Sequence, residues 1–192
     1  MRRIVLFWVL SLCSVTAFSV GRFPVDSGKT DDRGYHVRVG DQLPAGLKLR
    51  LTDGRTVALD ELRGKTILLQ FTASWCVVCR REMPHLEKEI WQAYKNKDFL
   101  LIGVDRDEPL EKVEAFQKAM DISYPLALDP GAEIFAKFAD KKAGVTRNVL
   151  IGPDGKIVFL TRLYDEQEFS ALVKKVGETV TDKTTHTENS TR

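Results

Sequence analysis

The chain of 192 residues is long enough to bury one full hydrophobic core and leaves little for a second. It carries 29 basic and 27 acidic residues, for a formal net charge of +2, without blocks of like charge. This balance excludes the basic patch that nucleic-acid binding needs and a polybasic stripe for anionic lipid. We therefore expect one domain with terminal extensions and no nucleic-acid partner.

The first 19 residues have the pattern of a secretory signal peptide. Two arginines precede an apolar run at residues 4–12, and small residues near position 17 offer a cleavage site. We expect export to the periplasm, after which the mature chain keeps a single pair of cysteines. The alternatives are retention of the segment as a membrane anchor and attachment of a lipid to Cys13.

The segment after the signal predicts a linker followed by a domain. Residues 20–37 are mostly polar and contain several glycines and aspartates, which predicts a flexible linker. The domain is expected to begin at residue 38. Its first element is a predicted hairpin, with strands at 47–51 and 56–59 around an Asp-Gly turn.

The middle of the chain alternates between strand and helix patterns. Continuous apolar runs at 67–71 and 99–104 predict strands that are covered on both faces. Residues 80–95 between them predict an amphipathic helix, and a second helical stripe begins at Leu110. A short strand is predicted at 124–128. Together these segments predict parallel strands with helical connections.

The last third predicts a helix, a hairpin and a closing helix. A helical face at 134–138 precedes apolar runs at 149–151 and 157–160, which flank a Pro-Asp-Gly turn. The closing helix is expected to end at 176, and the polar residues 177–192 predict a disordered tail. The predicted fold is α/β, with a central mixed β-sheet flanked by helices on both faces, an N-terminal hairpin and a central βα insertion.

Cys76 and Cys79 stand at the turn between the strand at 67–71 and the following helix. A C-x-x-C pair at such a turn in an α/β pattern predicts thiol redox chemistry. At a helix start, unpaired N–H groups and the helix dipole stabilise a thiolate on Cys76, and Cys79 lies one turn farther, within bonding distance. We expect Cys76 to face solvent and attack, and Cys79 to resolve the mixed disulfide.

A set of motifs in the same order carries a resemblance to a known family. The matching segments are Val39-Gly40-Asp41 with Pro44, the segment 59–65, Trp75 with both cysteines, the segment 79–84, and Leu150-Ile151 before Asp154-Gly155-Lys156. Over residues 38–176 the sequence resembles the exported TlpA/ResA-like thiol-disulfide oxidoreductases of the thioredoxin fold. The resemblance implies a reductase of protein disulfides that is resupplied by a membrane thiol electron donor. We expect no cofactor and no metal.

The resemblance also implies roles for three residues beside the cysteines. Trp75 stands where the family shields the reactive sulfur and contacts substrate, and Pro84 stands where the family bends the helix. Glu82 stands where the family has a carboxylate near the thiols. Partial burial would raise the pKa of Glu82, so that it could exchange protons with Cys79. The alternative for Glu82 is a solvated charge on the helix surface.

Two positions depart from the family pattern. Thr146 occupies the place of a cis-proline opposite the cysteines, and we assign Thr146 to the substrate-binding surface. A cis bond before threonine would cost about 3 kcal/mol or more, so this loop is expected to be either strained or trans. Gln70 replaces the buried acid of thioredoxin itself. That proton-transfer role therefore falls to Glu82 or to water.

Two other functions remain open from the sequence. A peroxiredoxin-like peroxidase would share the fold, but its Pro-x-x-x-Thr-x-x-Cys motif would need proline at Leu69 and threonine at Ala73. A redox-inactive binding module would keep the cysteines as a structural disulfide, although so short a loop restricts the unfolded chain little. Haem attachment would need histidine in place of Arg80, and the scattered histidines do not complete a zinc site.

Overall fold

The computed structural model of the chain describes residues 33–188, and their side chains as far as residue 181. The predicted signal peptide and the alternative lipid site at Cys13 lie outside these residues. No helix within the described range is both long and apolar enough to cross a membrane.

A mixed β-sheet forms the centre of the described chain. Its strands are β1 Lys48–Leu51, β2 Thr56–Ala58, β3 Thr66–Thr72, β4 Phe99–Arg106, β5 Leu126–Asp129, β6 Arg147–Ile151 and β7 Ile157–Arg162. They are arranged in the order β2-β1-β5-β4-β3-β6-β7. The central strands β5, β4 and β3 run parallel, whereas β1 and β2 on one side and β6 and β7 on the other pair antiparallel. Both predicted hairpins are therefore confirmed.

Helices cover the sheet on both faces, as predicted. Those with α-helical geometry are α1 Val77–His85, α2 Gln92–Tyr94, α3 Leu110–Ala119, α4 Phe135–Phe138 and α5 Glu166–Glu188. A π-helical segment, Leu86–Trp91, joins α1 to α2. The segment begins two residues after Pro84, which has no N–H to donate to the preceding turn. The helix between β3 and β4 is thus continuous but irregular.

Strand β3 supplies side chains to two separate cores, because alternate residues of a strand point to opposite faces. Leu69 and Phe71 belong to the core that includes Phe135 and Phe138 of α4. Leu68 belongs to the core on the other face, with residues of α1, α3 and α5. All seven residues of β3 are buried, which explains its continuous apolar run.

The predicted linker is too long at its C-terminal end. Tyr35 forms a β-bridge with Ala139, and its hydroxyl donates a hydrogen bond to the carbonyl of Thr161. Val37 is buried in the core. The folded part of the chain therefore includes residues that the polar composition of 20–37 assigned to the linker.

The predicted tail begins too early. Helix α5 continues through residue 188, and Val180 is only 8% exposed within the core beside Val176. In the sequence Gly177 indicates a helix end, but in the structure its missing side chain allows α5 to pack closely against Tyr94. A Cβ atom at Gly177 would lie 2.9 Å from the hydroxyl oxygen of Tyr94. One apolar residue four positions beyond Val176 is therefore enough to continue the buried stripe.

Candidate active site

The two cysteines lie where β3 passes into α1, as the sequence predicts. Cys76 is the N-cap residue of α1, and it forms a disulfide with Cys79 across a Cα–Cα distance of 5.3 Å. The backbone N–H of Cys79 donates to the sulfur of Cys76 at 3.1 Å. Sulfur thus takes the position in which Ser, Thr, Asp or Asn oxygen usually caps a helix.

The surroundings of the two sulfur atoms differ. Cys79 is fully buried, whereas Cys76 is 7% exposed and has Trp75 and Val77 on either side, which are 55% and 62% exposed. Cys76 is therefore the more accessible cysteine, although most of its surface is covered. Trp75 and Val77, its neighbours in the chain, form an exposed apolar rim beside it.

Side chains from distant parts of the chain anchor the active-site turn. The carboxylate of Glu108 accepts hydrogen bonds from the backbone N–H of Ser74 and, at 2.7 Å, from its hydroxyl. Lys112 forms an ion pair with Glu108, and the Nε of Arg80 donates to the carbonyl of Ser74 at 2.8 Å. Glu108 is not recognisable from the sequence alone, because 34 residues separate it from Ser74 and no local pattern joins them.

Arg106 supports the exposed ring of Trp75. Its guanidinium carbon lies 5.3 Å from the centre of the Trp75 ring and 4.9 Å from that of Phe135, within the range of a cation–π contact. One Nη of Arg106 also donates to the carbonyl of Ala143 at 3.0 Å. The indole is therefore held at the rim of the site.

Thr146 faces both cysteines from the loop before β6. Its hydroxyl oxygen lies 3.1 Å from the sulfur of Cys76 and 3.2 Å from the sulfur of Cys79, and its side chain is buried. None of the peptide bonds in the described range is cis, so the bond before Thr146 is trans. The carbonyl of Thr146 accepts a hydrogen bond from the N–H of Leu163 at 3.1 Å. Its contact with a docked substrate stays a prediction.

Glu82 is buried on the face of α1 that packs against the sheet. Its exposure is 1%, so it is not a solvated helix charge. One carboxylate oxygen accepts from Asn148 Nδ2 at 2.6 Å and the other from Gln70 Nε2 at 3.3 Å. Burial raises the pKa of Glu82 to about 7. Within the described chain neither sulfur is a hydrogen-bond partner of the carboxylate, and its proton exchange with Cys79 stays a prediction.

A buried polar network extends from Glu82 across the sheet. The hydroxyl of Tyr124 donates to the Gln70 carbonyl oxygen at 2.8 Å, and Asn148 Nδ2 also donates to the hydroxyl of Thr161 at 2.9 Å. Burial raises the pKa of Tyr124 well above its usual value, so the phenol remains a donor. Asn148 is absent from the residues predicted for the site, although a polar residue inside the apolar run of β6 is a usable signal.

A second buried acid lies at the end of β4. Asp105 is fully buried and pairs in register with Thr72, at the point where β3 enters the active-site turn. Neither carboxyl oxygen accepts a hydrogen bond from a donor among the described residues. Burial, and then the negative charge of Glu108, raise the pKa of Asp105 to about 8. The neutral form of Asp105 is therefore favoured near neutral pH, and no sequence pattern identifies this residue as part of the site.

Known proteins that are similar to this chain include thiol-disulfide oxidoreductases, in agreement with the cysteine pair at the start of α1. Residues 38–176 match the family model of Redoxin. Thiol-disulfide oxidoreductase ResA of Bacillus cereus is 30% identical over 151 residues, which are 78% of this chain and 81% of that protein.

Solved structures show the same fold. A Bacteroides thetaiotaomicron protein, described provisionally as a protein disulfide isomerase, is 58% identical with a TM-score of 0.75, over 80% of this chain and 96% of that one. A Chlorobium tepidum protein, described provisionally as the thiol:disulfide interchange protein DsbE, is 24% identical with a TM-score of 0.64, over 75% and 99% of the two chains. At that identity the second structure supports the fold alone. The chain therefore belongs to the Redoxin family, among its thioredoxin-like thiol-disulfide oxidoreductases of the TlpA and ResA type.

Proposed function

We propose that the protein reduces protein disulfides by thiol-disulfide exchange through Cys76 and Cys79. The observation that carries this proposal is the position of Cys76 as the N-cap of α1, joined to Cys79 one turn along. Unpaired N–H groups and the helix dipole at this position favour the thiolate that attacks disulfides. Similarity to thiol-disulfide oxidoreductase ResA supports the same chemistry.

In the first step, the Cys76 thiolate attacks one sulfur of a substrate disulfide. A bond forms between Cys76 and that sulfur, the substrate S–S bond breaks, and the other substrate sulfur leaves as a thiolate that takes a proton from water. Cys76 performs this step because it is the more accessible cysteine and lies beside the exposed residues Trp75 and Val77.

In the second step, Cys79 attacks the Cys76 sulfur of the mixed disulfide. The bond between the two cysteines forms, the bond to substrate breaks, and the second substrate sulfur leaves as a thiolate. Two electrons have then moved from the enzyme dithiol to the substrate. Cys79 must lose its proton first, and we assign that proton to Glu82, one helical turn away with a pKa of about 7.

The proposed partners follow from the rim of the site and from the family. The exposed apolar side chains of Trp75 and Val77 suit segments of protein substrates around a disulfide. Electrons for reduction of the Cys76–Cys79 disulfide come from a membrane thiol protein. Export to the periplasm rests on the signal pattern in the first 19 residues.

Trapping of the mixed disulfide tests the proposal. The Cys79→Ser variant should accumulate a covalent adduct with insulin or another disulfide protein, because the resolving thiol is absent. The Cys76→Ser variant should form none, and the parent should accelerate insulin reduction by dithiothreitol. Mass spectrometry of the adduct locates the bond at Cys76.

The alternatives give different outcomes. A redox-inactive binding module would show no acceleration and no adduct in either variant, which would contradict the proposal. Adducts of equal yield in both variants would contradict the assignment of Cys76 as nucleophile. A peroxidase would consume peroxide instead, but Leu69 and Ala73 replace the proline and threonine of the peroxiredoxin motif, and the relatives do not favour that activity.

A further inference from the structure

The hydroxyl of Thr146 is placed almost equally between the two sulfur atoms. The distances from its oxygen, 3.1 Å to Cys76 and 3.2 Å to Cys79, are both within hydrogen-bond range for sulfur. A threonine hydroxyl carries one proton to donate and can turn it about the Cβ–O bond. In this disulfide form the same hydroxyl can therefore reach either sulfur by rotation about that bond alone.

We propose that Thr146 is a catalytic residue whose hydroxyl donates a hydrogen bond to whichever of the two sulfurs carries negative charge. The inference rests on the proposed exchange reaction and adds a role that proline at this position could not perform, because proline has no side-chain donor. Hydrogen bonds to charged groups stabilise more than those between neutral groups. In the attacking state the acceptor is Cys76, and in the resolving state it is Cys79.

The two sulfurs depend on Thr146 to different degrees. Cys76 also receives the backbone N–H of Cys79 at 3.1 Å and lies at the positive end of α1. For Cys79, Thr146 is the hydrogen-bonding partner found for its sulfur in the described part of the chain, and Cys79 is fully buried. Loss of the hydroxyl should therefore slow resolution by Cys79 more than attack by Cys76.

The backbone holds the hydroxyl in this position. The carbonyl of Thr146 accepts from the N–H of Leu163, and the Nε of Arg147 donates to the carbonyl of Gly144 at 3.1 Å. Arg147 also pairs with Phe71 across β3 and β6. The loop is therefore tied at both ends, and a substitution that only removes the hydroxyl need not displace it.

Both steps can be followed in one reaction with a symmetric nitrobenzoate disulfide as probe. Attack by Cys76 releases the first coloured thiolate, and attack by Cys79 on the mixed disulfide releases the second. For Thr146→Val we expect the second phase to slow about tenfold or more, as loss of a hydrogen bond to a charged group predicts, and the first phase to slow less. Thr146→Ser, which keeps the hydroxyl, should retain both phases.

Thr72→Val is the matched control. Thr72 is a buried threonine whose hydroxyl contacts a sulfur at 3.6 Å, but that sulfur belongs to Met83 and not to the cysteine pair. This variant loses a comparable hydroxyl and should leave the ratio of the two phases unchanged. If Thr146→Val does not fold, the comparison of Thr146→Ser with Thr146→Ala replaces it, because only the serine keeps the donor.

The outcomes separate the inference from the proposed function. The role of Thr146 would be overturned if the parent shows two phases and Thr146→Val leaves the rate of the second phase unchanged. It would also be overturned if Thr146→Ser and Thr146→Ala give the same rates in both phases. Either result would leave the exchange reaction standing. A parent that releases one thiolate or none would overturn resolution by Cys79 itself. An equal slowing of both phases in Thr146→Val and Thr72→Val would indicate a packing effect and also overturn the role.

Discussion

At the scale of single residues, the buried carboxyl of Glu82 lies one helical turn beyond Cys79 and forms no hydrogen bond with either sulfur among the described residues. Glu82 has a pKa near 7 because burial disfavours its charged form, while amide donors from Asn148 and Gln70 oppose that effect in part. A group that titrates near neutral pH is well suited to receive and release protons there. The two amides also fix its orientation, so its distance to the cysteines does not depend on a mobile side chain.

Replacement of Glu82 by glutamine tests this role. The amide keeps the shape, and the side-chain amide of Gln70 can turn over to accept from it, because the Tyr124 hydroxyl can both donate and accept. We expect an intact fold and slower release of the second thiolate, with loss of the change in rate around the pKa of Glu82. The measurement is the rate of each phase from about pH 5 to 9, which spans carboxyl and thiol titration.

Glu89→Gln is the control for this change. Glu89 lies on the same continuous helix, but it is exposed and pairs with His85. Its variant should reproduce the pH profile of the parent. Superimposable profiles for the Glu82 and Glu89 variants would remove Glu82 from the mechanism and leave the cysteines and Thr146 to explain the chemistry.

At the scale of secondary structure, buried strands and the cysteine turn were predictable, but helix ends were not. The continuous apolar runs of β3 and β4 identify strands covered on both faces, and the C-x-x-C pair identifies the turn. The sequence predicts that α5 ends at residue 176, because Gly177 and a polar segment indicate a stop, whereas contact with Tyr94 and the core extends the helix. The residues around Gly177 in the sequence do not indicate its contact with Tyr94.

The extended part of α5 makes a measurable contribution to stability. Val180 is 8% exposed, and burial of a valine side chain stabilises by about 1.5 to 3 kcal/mol. Val180→Asp should therefore lower the free energy of unfolding by about 2 kcal/mol or more in urea titrations. Thr181→Asp, at the exposed neighbouring position, should change it much less. Equal effects of the two substitutions would mean that Val180 does not pack in solution.

At the scale of the whole molecule, the sheet brings together groups that are far apart in sequence. Glu82 meets Asn148 across 66 positions, and Ser74 meets Glu108 across 34. The family motif was enough to select Glu82, because it lies a fixed distance from Cys79 on one helix. Its partners depend on the register between β3 and β6, which no local pattern specifies. The nucleophile was therefore predictable, and most of its supporting network was not.

Asp105 gives the whole fold a specific dependence on pH. Its pKa rises from 3.8 to about 8 on folding, and that of Glu82 rises from 4.5 to about 7. At a pH between the unfolded and the folded pKa of each group, the folded protein binds more protons than the unfolded chain. The free energy of unfolding therefore falls as the pH rises through this range. Each such group contributes a slope of up to about 1.4 kcal/mol per pH unit within its window. Glu108, whose pKa is lowered, contributes in the opposite sense at more acidic pH.

Replacement of Asp105 by asparagine should therefore flatten this dependence. Asparagine has no proton to lose, and its amide can donate to the nearby carboxylate of Glu108, so the cost of ionising a buried carboxyl disappears. We expect the free energy of unfolding of Asp105→Asn, from urea titrations at about pH 5, 6, 7 and 8, to exceed that of the parent most at the highest pH. Glu111→Gln, at an exposed carboxylate on α3, should keep the slope of the parent. An Asp105 variant with the parent's slope would show that Asp105 is ionised in the folded protein at neutral pH.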